Sequence, residues 1–258
     1  MRKTKEQEQI LSKELKARQS ISLHEAMVLL GVSASTARRI FIRMEENGTA
    51  IRTHGGILAN DSLVNYYVYE QVSECFVQEK EKIGAEALHH IENNDVLFLD
   101  SGTTMAQVSI AIANALETGD LHHLTIFTNS LVNLNILKKW VKINLIGGEY
   151  RENREDFCGY TAEETVKMLH FSKCFLGCDG YSIQQGFSAT DFQTARLSNL
   201  VAKNSDQKII LADASKFSCP SVISFTKDVA VTKVVTTSGI SPNIIAHFKK
   251  NNIQVITV

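Results

Sequence analysis

The chain has 258 residues, 44% of them hydrophobic, and a formal net charge of −1 at pH 7. That suffices for a small domain beside a larger one with a substantial core. No run is long and apolar enough to span a membrane, "MRKTKEQEQI" has no signal-peptide core, and the five cysteines form no disulfide-scaffold pattern, so a cytoplasmic protein with no membrane partner is expected. The small net charge hides an asymmetry. Residues 1–57 hold ten Lys/Arg against six Asp/Glu, a net of +4, and the remainder nets −5. A basic head on an acidic body suits a nucleic-acid contact confined to the N-terminus.

Residues 4–18 have apolar positions at Ile10, Leu11 and Leu15, suited to a first helix packed on two others. Ser22 with Glu25 reads as a capping box for a helix ending near Leu30. Gly31 suits the left-handed stop, and Ser33 is expected to cap the next helix through its side chain. Ala26, Leu29 and Leu30 would then face Val32, Ala37 and Phe41, a helix-turn-helix. In that arrangement the second helix enters a DNA major groove by its N-terminal end. Ser33, Ser35, Thr36, Arg38, Arg39 and Arg43 are therefore candidate DNA-binding residues. Hydroxyls and helix amides suit phosphate, and arginine suits guanine. Ile40, Phe41 and Met44 would pack behind. "NGTAIRTHGGI" suggests a hairpin wing that puts Arg52 and His54 near the DNA backbone. Charges also solvate ordinary helices; the paired arginines together with a wing favour double-stranded DNA.

The expected organisation is a winged helix-turn-helix at 1–57, a linker at 58–75 and an effector domain at 76–258. In the last, "VLFLD", "LTIFT", "KINLI", "KCFLG", "KIILA", "KVVTT" and "IQVITV" are short apolar runs alternating with helical patterns. This predicts a layered, Rossmann-like α/β domain with a parallel sheet. The residues after the strands are polar or glycine, where open α/β sheets bind ligands. Asp100, Ser101, Gly102, Thr103 and Thr104 precede a helix, whose N-terminus suits a phosphate; an ordinary cap and turn needs the same residue types. Lys216 at another strand end would complete a phosphate site. Thr128, Asn129 and Asp179 are candidates for sugar hydroxyls, or for caps. Gly147 and Gly148 give room to a ligand or make a tight turn. Cys174 and Cys178 have metal-like spacing but flank a buried run without a second pair, so no metal is expected. No cofactor is expected either.

These elements together resemble the DeoR family of bacterial transcription regulators over almost the full chain. "GVSASTARR" and "EENGTAIRTHGG" carry the resemblance in the head. "LFLDSGTT", "TNSL", "LIGGEYR", "FLGCDGYS", "GFS" and "LADASKF" carry it in the body, in the family's order. The resemblance implies a winged helix-turn-helix followed by a sensor domain of the ribose-phosphate-isomerase/CoA-transferase-like fold. It implies repression of a sugar-catabolism operon, a phosphorylated sugar or related metabolite as effector, and a dimer or tetramer. The chain departs from the family pattern at Ile40, where an aspartate is usual, at Gln193 and Ser198 in "QTARLS", and at Thr236-Thr237. Two other readings compete: a sugar-phosphate isomerase with an accessory head, and a DNA-binding adaptor whose body only oligomerises. Isomerisation needs a positioned general base, and "QQGFSATDF" offers Asp191 without an acidic partner loop.

Overall fold

The computed structural model describes residues 2–18, 20–47, 49–52, 55–59, 67–217, 220–225 and 231–258. It divides into two compact units, Met1–Tyr66 and Tyr67–Val258. The stretch read from sequence as a linker, 58–75, is shared between them. Leu58 and Ala59 lie in a strand of the first unit, and Tyr69–Ser73 is a helix of the second.

In the first unit α1 (Arg2–Arg18), β1 (Ser20–Ser22), α2 (Leu23–Leu30) and α3 (Ala34–Glu46) precede β2 (Ala50–Arg52) and β3 (Gly56–Ala59). The expected hairpin forms. β3 also pairs with β1, a strand that the sequence did not suggest. Leu11, Leu15, Ala26, Ala37, Ile40, Phe41 and Met44 are buried in one cluster. Ile10 and Leu29, expected in that core, are 47% and 43% exposed. Each sits one residue from the inward stripe, a rotation of about 100°. The Ser22 amide donates to Glu25 Oε2 at 2.7 Å and the Glu25 amide to Ser22 Oγ at 3.2 Å, so the capping box forms. Gly31 takes φ 61°, the left-handed stop that lets α3 follow at once.

The second unit opens with α4 (Tyr69–Ser73) and α5 (Val77–Leu88), then β4 (Val96–Leu99), α6 (Thr103–Thr118), β5 (Thr125–Thr128), α7 (Leu131–Leu137) and β6 (Ile143–Leu145). A short ribbon, β7 (Glu149–Arg151) and β8 (Asp156–Cys158), leads to α8 (Tyr160–Lys167) and β9 (Phe171–Leu176). Next come β10 (Gly180–Ser182), β11 (Gly186–Ala189), α9 (Phe192–Lys203), β12 (Ser205–Leu211) and β13 (Ile223–Ser224). The chain closes with β14 (Lys233–Thr236), α10 (Pro242–Lys250) and β15 (Gln254–Thr257).

The seven apolar runs read from sequence form, among the described residues, one parallel sheet in the order β15-β14-β12-β9-β4-β5-β6. Successive strand residues face opposite sides. Leu97, Leu99, Phe175, Ile209, Leu211 and Val235 join the core shared with α5, α6 and α7. Phe98, Cys174, Leu176, Ile210 and Val234 join the core shared with α8, α9 and α10. Burial on both faces is why these strands read as continuous apolar runs. The chain lays β5 and β6 outward from β4, then returns to place β9 on β4's other side. The strand order therefore reverses between β4 and β9, where open α/β sheets leave a crevice.

α5 and α6 approach closely at Gly84, where an added Cβ would lie 2.8 Å from the Gln107 carbonyl carbon. Helix propensity alone favours alanine there by about 1 kcal/mol. Overpacking against backbone, which cannot swing aside, costs about 1–3 kcal/mol. Gly84→Ala is therefore expected to lower the urea midpoint of the full chain, with a net loss of up to about 2 kcal/mol. An unchanged or higher midpoint would show that α5 and α6 part without cost.

Candidate functional site

The leading end of α3 gathers hydroxyls. Ser33 is the N-cap residue, yet its side chain makes no cap bond to α3. Its Oγ lies 3.0 Å from Ser35 Oγ and 3.1 Å from Thr36 Oγ1 instead. The expected side-chain cap is thus replaced by a hydroxyl cluster, and the first amides of α3 keep their donors unspent on it. Arg38 and Arg39 are exposed, and among the described residues no acid pairs with either. Arg43 Nε lies 3.5 Å from Glu8 on α1, and Arg52 Nε 3.2 Å from Glu45 on α3. Thr36, Arg39, Ile42 and Arg43 line a shallow groove with Gln7. His54 lies outside the described residues. Ile40 is fully buried, so the departure from an aspartate there places an apolar side chain in the core.

In the second unit the loops after β4, β5 and β9 meet at the reversal of strand order, and the turn after β12 follows the strand beyond β9. Asp100 sits at the centre of that reversal, 8% exposed. Its Oδ1 accepts the Ser101 amide at 2.8 Å, and its Oδ2 accepts the Gly177 amide at 3.1 Å across the gap to β9. Burial pushes its carboxyl up to about 6; the Ser101 and Gly177 amides oppose this and Asp156 and Asp179 reinforce it. Gly102 precedes α6 with open space where a Cβ would stand. Thr103 is nearly buried and Thr104 half-buried, and among the described residues neither hydroxyl bonds to a protein group. Lys216 projects from the turn Ala214–Phe217 and has no salt-bridge partner among the described residues. That turn is held by Thr237, whose Oγ1 accepts the Ala214 amide at 3.0 Å. Asn129 donates through Nδ2 to Phe157 O at 3.0 Å, while its buried Oδ1 has no partner among the described residues.

Two sequence candidates are spent on the scaffold. Thr128 is fully buried; its hydroxyl donates to Leu99 O at 2.6 Å and accepts the Ser130 amide at 3.1 Å. Ser130, not Thr128, caps α7 by accepting the Asn133 amide. At Gly148 a Cβ would stand 2.3 Å from Cys158 O, so this glycine lets β7 lie against β8 and gives no room to a ligand. Gly147 beside it has open space. Cys174 lies in the apolar core, and burial pushes its thiol up to about 12. Among the described residues no cluster of His, Cys, Asp and Glu is placed to hold a metal ion, and no helix is long and apolar enough to cross a membrane.

Sequence reasoning missed a charged cluster beside these loops. Asp156 is fully buried and accepts Ser101 Oγ at 2.5 Å, Arg151 Nε at 2.8 Å and Arg151 Nη2 at 2.7 Å. Arg151 Nη1 reaches Asp191 at 2.9 Å, and Arg154 reaches the other Asp191 oxygen at 3.1 Å. Arg154 also donates to Thr190 Oγ1 and lies 3.8 Å from Asp179. Asp179 in turn accepts the Thr190 amide at 2.8 Å and hydroxyl at 3.0 Å. Burial would raise the Asp191 carboxyl, but the Thr194 amide and the two arginines hold it below the usual range. Lys80 was also missed. It is 4% exposed and donates to Val72 O at 2.6 Å; burial and then Lys216 bring its ammonium down to about 8. Besides Asp179, already a candidate, Asp191 carried a sequence signal, the N-cap spacing to Thr194 whose amide it accepts at 2.9 Å.

Known proteins resemble both units. A family model described as a DeoR-like helix-turn-helix domain matches residues 7–63, and one described as a DeoR C terminal sensor domain matches 76–238. The chain is 31% identical over 216 residues to a lactose phosphotransferase system repressor of Staphylococcus epidermidis, covering 80% of this chain and 81% of that protein. It is 25% identical over 259 residues to a putative aga operon transcriptional repressor of Escherichia coli O157:H7, covering 99% and 94%. Among solved structures, a ribose 5-phosphate isomerase from Plasmodium falciparum aligns at a TM-score of 0.41 and 18% identity, over 54% of this chain and 52% of that one.

The raised Asp100 carboxyl has a signed consequence. The folded chain binds this proton more tightly than the unfolded chain, whose value is near 3.8. Between about pH 4 and 6 stability therefore falls as pH rises, and above about 6 the ionised carboxylate is a standing cost of about 3 kcal/mol. Comparing the pH dependence of wild type and Asp100→Asn isolates this group. The unfolding free energy of wild type minus that of Asp100→Asn is expected to rise by about 2–3 kcal/mol on going from pH 7 to pH 4. A difference that stays flat over that range refutes the assignment.

Proposed function

The chain belongs to the DeoR family of transcriptional regulators, and from that premise we propose that it represses a carbohydrate-utilisation operon and is controlled by a phosphorylated sugar. Its similarity to repressors named for lactose phosphotransfer and the aga operon supports both the sugar and the sign. The observation that carries the effector is the set of unspent anion donors at one edge of the sheet. These are the first amides of α6 with the Thr103 and Thr104 hydroxyls, together with Lys216 on the turn after β12, which has no salt-bridge partner among the described residues. A helix N-terminus and a cation suit a phosphate.

In this reading Gly102 admits the phosphate to the backbone, and Ser101 turns its hydroxyl toward it. Asn129 Oδ1, buried and without a partner among the described residues, accepts a hydrogen bond from a sugar hydroxyl, and Asp100 and Asp179 border the same space. Gly147 leaves room for the sugar. Thr128 and Gly148 have no part in it.

On DNA, Arg38 and Arg39 read base edges while Ser33, Ser35, Thr36 and the α3 amides hold phosphate. Arg43 and Arg52 exchange their acid partners Glu8 and Glu45 for DNA phosphates, at little cost because surface pairs are worth about 0–1 kcal/mol. His54 adds a wing contact. A homo-oligomer, dimer or tetramer, supplies the paired heads that a repeated half-site needs. The effector acts by preferring one arrangement of those heads, since equal affinity for both would shift nothing.

Two outcomes are expected. Arg38→Ala and Arg39→Ala weaken operator binding, and at least one relaxes base preference, with a lost bidentate contact worth about 1–3 kcal/mol; Arg52→Ala weakens all sequences alike and flattens the salt dependence. Fluorescence anisotropy on operator and scrambled duplexes checks both, and wild-type affinity with wild-type preference in folded variants would unseat α3 as the reading helix. Thr103→Val and Lys216→Met leave operator binding near normal but move the effector midpoint for operator release by about one to two decades each. The double variant falls short of the sum if both groups hold one phosphate. Unchanged midpoints would remove the phosphate from this loop and favour an adaptor that senses nothing.

A further inference from the structure

We propose that the charged cluster between β7 and α9 reports occupancy of the strand-end site to Tyr67, the residue at which the second unit begins. The inference rests on the phosphate reading above.

Ser101 has one hydroxyl proton, and it is donated to Asp156 at 2.5 Å. A phosphate oxygen on the same loop is a competing acceptor for that proton. It is also repelled by the Asp156 carboxylate, which no water screens because the residue is fully buried. Phosphate binding therefore favours a loop in which Ser101 turns away from Asp156. The carboxylate then relies on Arg151, already bound through Nε and Nη2, for its whole compensation. Arg151 is shared, because its Nη1 serves Asp191 at 2.9 Å. Drawing Arg151 toward Asp156 leaves Asp191 to its second cation, Arg154, at 3.1 Å.

Arg154 is the last link. Its guanidinium carbon lies 4.2 Å from the centre of the Tyr67 ring, a cation–π contact. Its neighbour Asn153 donates through Nδ2 to the Tyr67 carbonyl at 2.8 Å. The turn Glu152–Arg154 thus grips Tyr67 by ring and backbone together. When Asp191 claims Arg154, the stack over Tyr67 loosens. Tyr67 stands six residues before Ser73, the end of α4, and the Val72 amide bonds the Val68 carbonyl at 3.1 Å. Loosening at residue 67 therefore registers in the amide protection of the segment that follows.

Hydrogen exchange measured by mass spectrometry over residues 67–75 of the full chain tests this, with inorganic phosphate as the probe and chloride balancing ionic strength. Phosphate is expected to raise exchange of the wild-type segment about five- to tenfold, within the usual range of coupling between sites. Tyr67→Leu and Arg154→Met should lose most of that response while phosphate still raises their melting temperatures as it does for wild type. Tyr67→Leu leaves every buried charge paired, so the test survives if Arg154→Met fails to fold. Ser101→Ala should raise exchange of the segment without phosphate, because it removes the proton that Asp156 holds. A full phosphate response in Tyr67→Leu, or unaltered exchange in Ser101→Ala, overturns the relay. If phosphate fails to raise the wild-type melting temperature, the strand-end phosphate reading falls. Raised exchange in Ser101→Ala would then still support the relay, and unaltered exchange would overturn it too.

Discussion

Where the strand order reverses, Asp100 accepts the Gly177 amide from across the gap and the Ser101 amide from its own loop. β4 and β9 are hydrogen-bonded neighbours up to this point, and beyond it their chains diverge. Amides there have no strand to pair with, and a buried amide left unpaired costs about 1–3 kcal/mol. One carboxylate satisfies both and so fixes the loop after β4 against the loop after β9. The first turn of α6 is aimed at the crevice for the same reason. The arrangement has an electrostatic cost, since burial beside Asp156 and Asp179 raises the Asp100 carboxyl. A group that is costly when ionised is kept because the geometry of the edge depends on it.

Around this anchor the charges divide into two kinds. Asp156, Asp191, Arg151 and Arg154 are buried or half-buried and mutually bound. Buried pairs of this kind add little net stability, because desolvation offsets the attraction, but removing one member leaves a costly unpaired charge. They are suited to holding one arrangement and to changing together. Lys216 and the Thr103 and Thr104 hydroxyls are of the other kind, with donors that no protein group among the described residues uses. In the proposed reading a ligand is held by the second kind and its presence is passed on by the first.

The first unit separates the same two tasks within two adjacent helices. α2 carries a complete capping box and a left-handed stop, and the Leu23 amide at its start is taken by the Gly55 carbonyl at 2.6 Å. α3 begins on Ser33 without a side-chain cap, and the hydroxyls of Ser33, Ser35 and Thr36 turn to one another. A helix start left uncapped is less stable alone by about 1 kcal/mol. The buried stripe of Ala37, Ile40, Phe41 and Met44 offsets that through packing. The result is a helix held firmly by one face, with its leading end and Arg38 and Arg39 presented outward.

Much of this was legible without coordinates. The capping box at Ser22 and Glu25, the stop at Gly31 and the seven parallel strands are written in local spacing. Caps, left-handed turns and strands buried on both faces constrain residue types within a few positions. The loop residues 100–104 and Lys216 could be placed at strand ends, because strand ends follow from the strands themselves. What the sequence left open was which polar residues are spent. Thr128 and Asn129 are adjacent and equally polar, yet one hydroxyl is consumed by Leu99 O and the neighbouring amide oxygen has no partner among the described residues. Gly147 and Gly148 differ only in that a carbonyl of Cys158 stands against the second. The meeting of Ser101 with Asp156, of Arg151 with Asp191 and of Arg154 with Tyr67 joins residues up to 87 positions apart. Local spacing determines helices, caps and strands because their hydrogen bonds close within a few residues or a single ladder. Only the tertiary structure decided which donors remain unspent, because that depends on which distant partner the fold brings within reach of each polar atom.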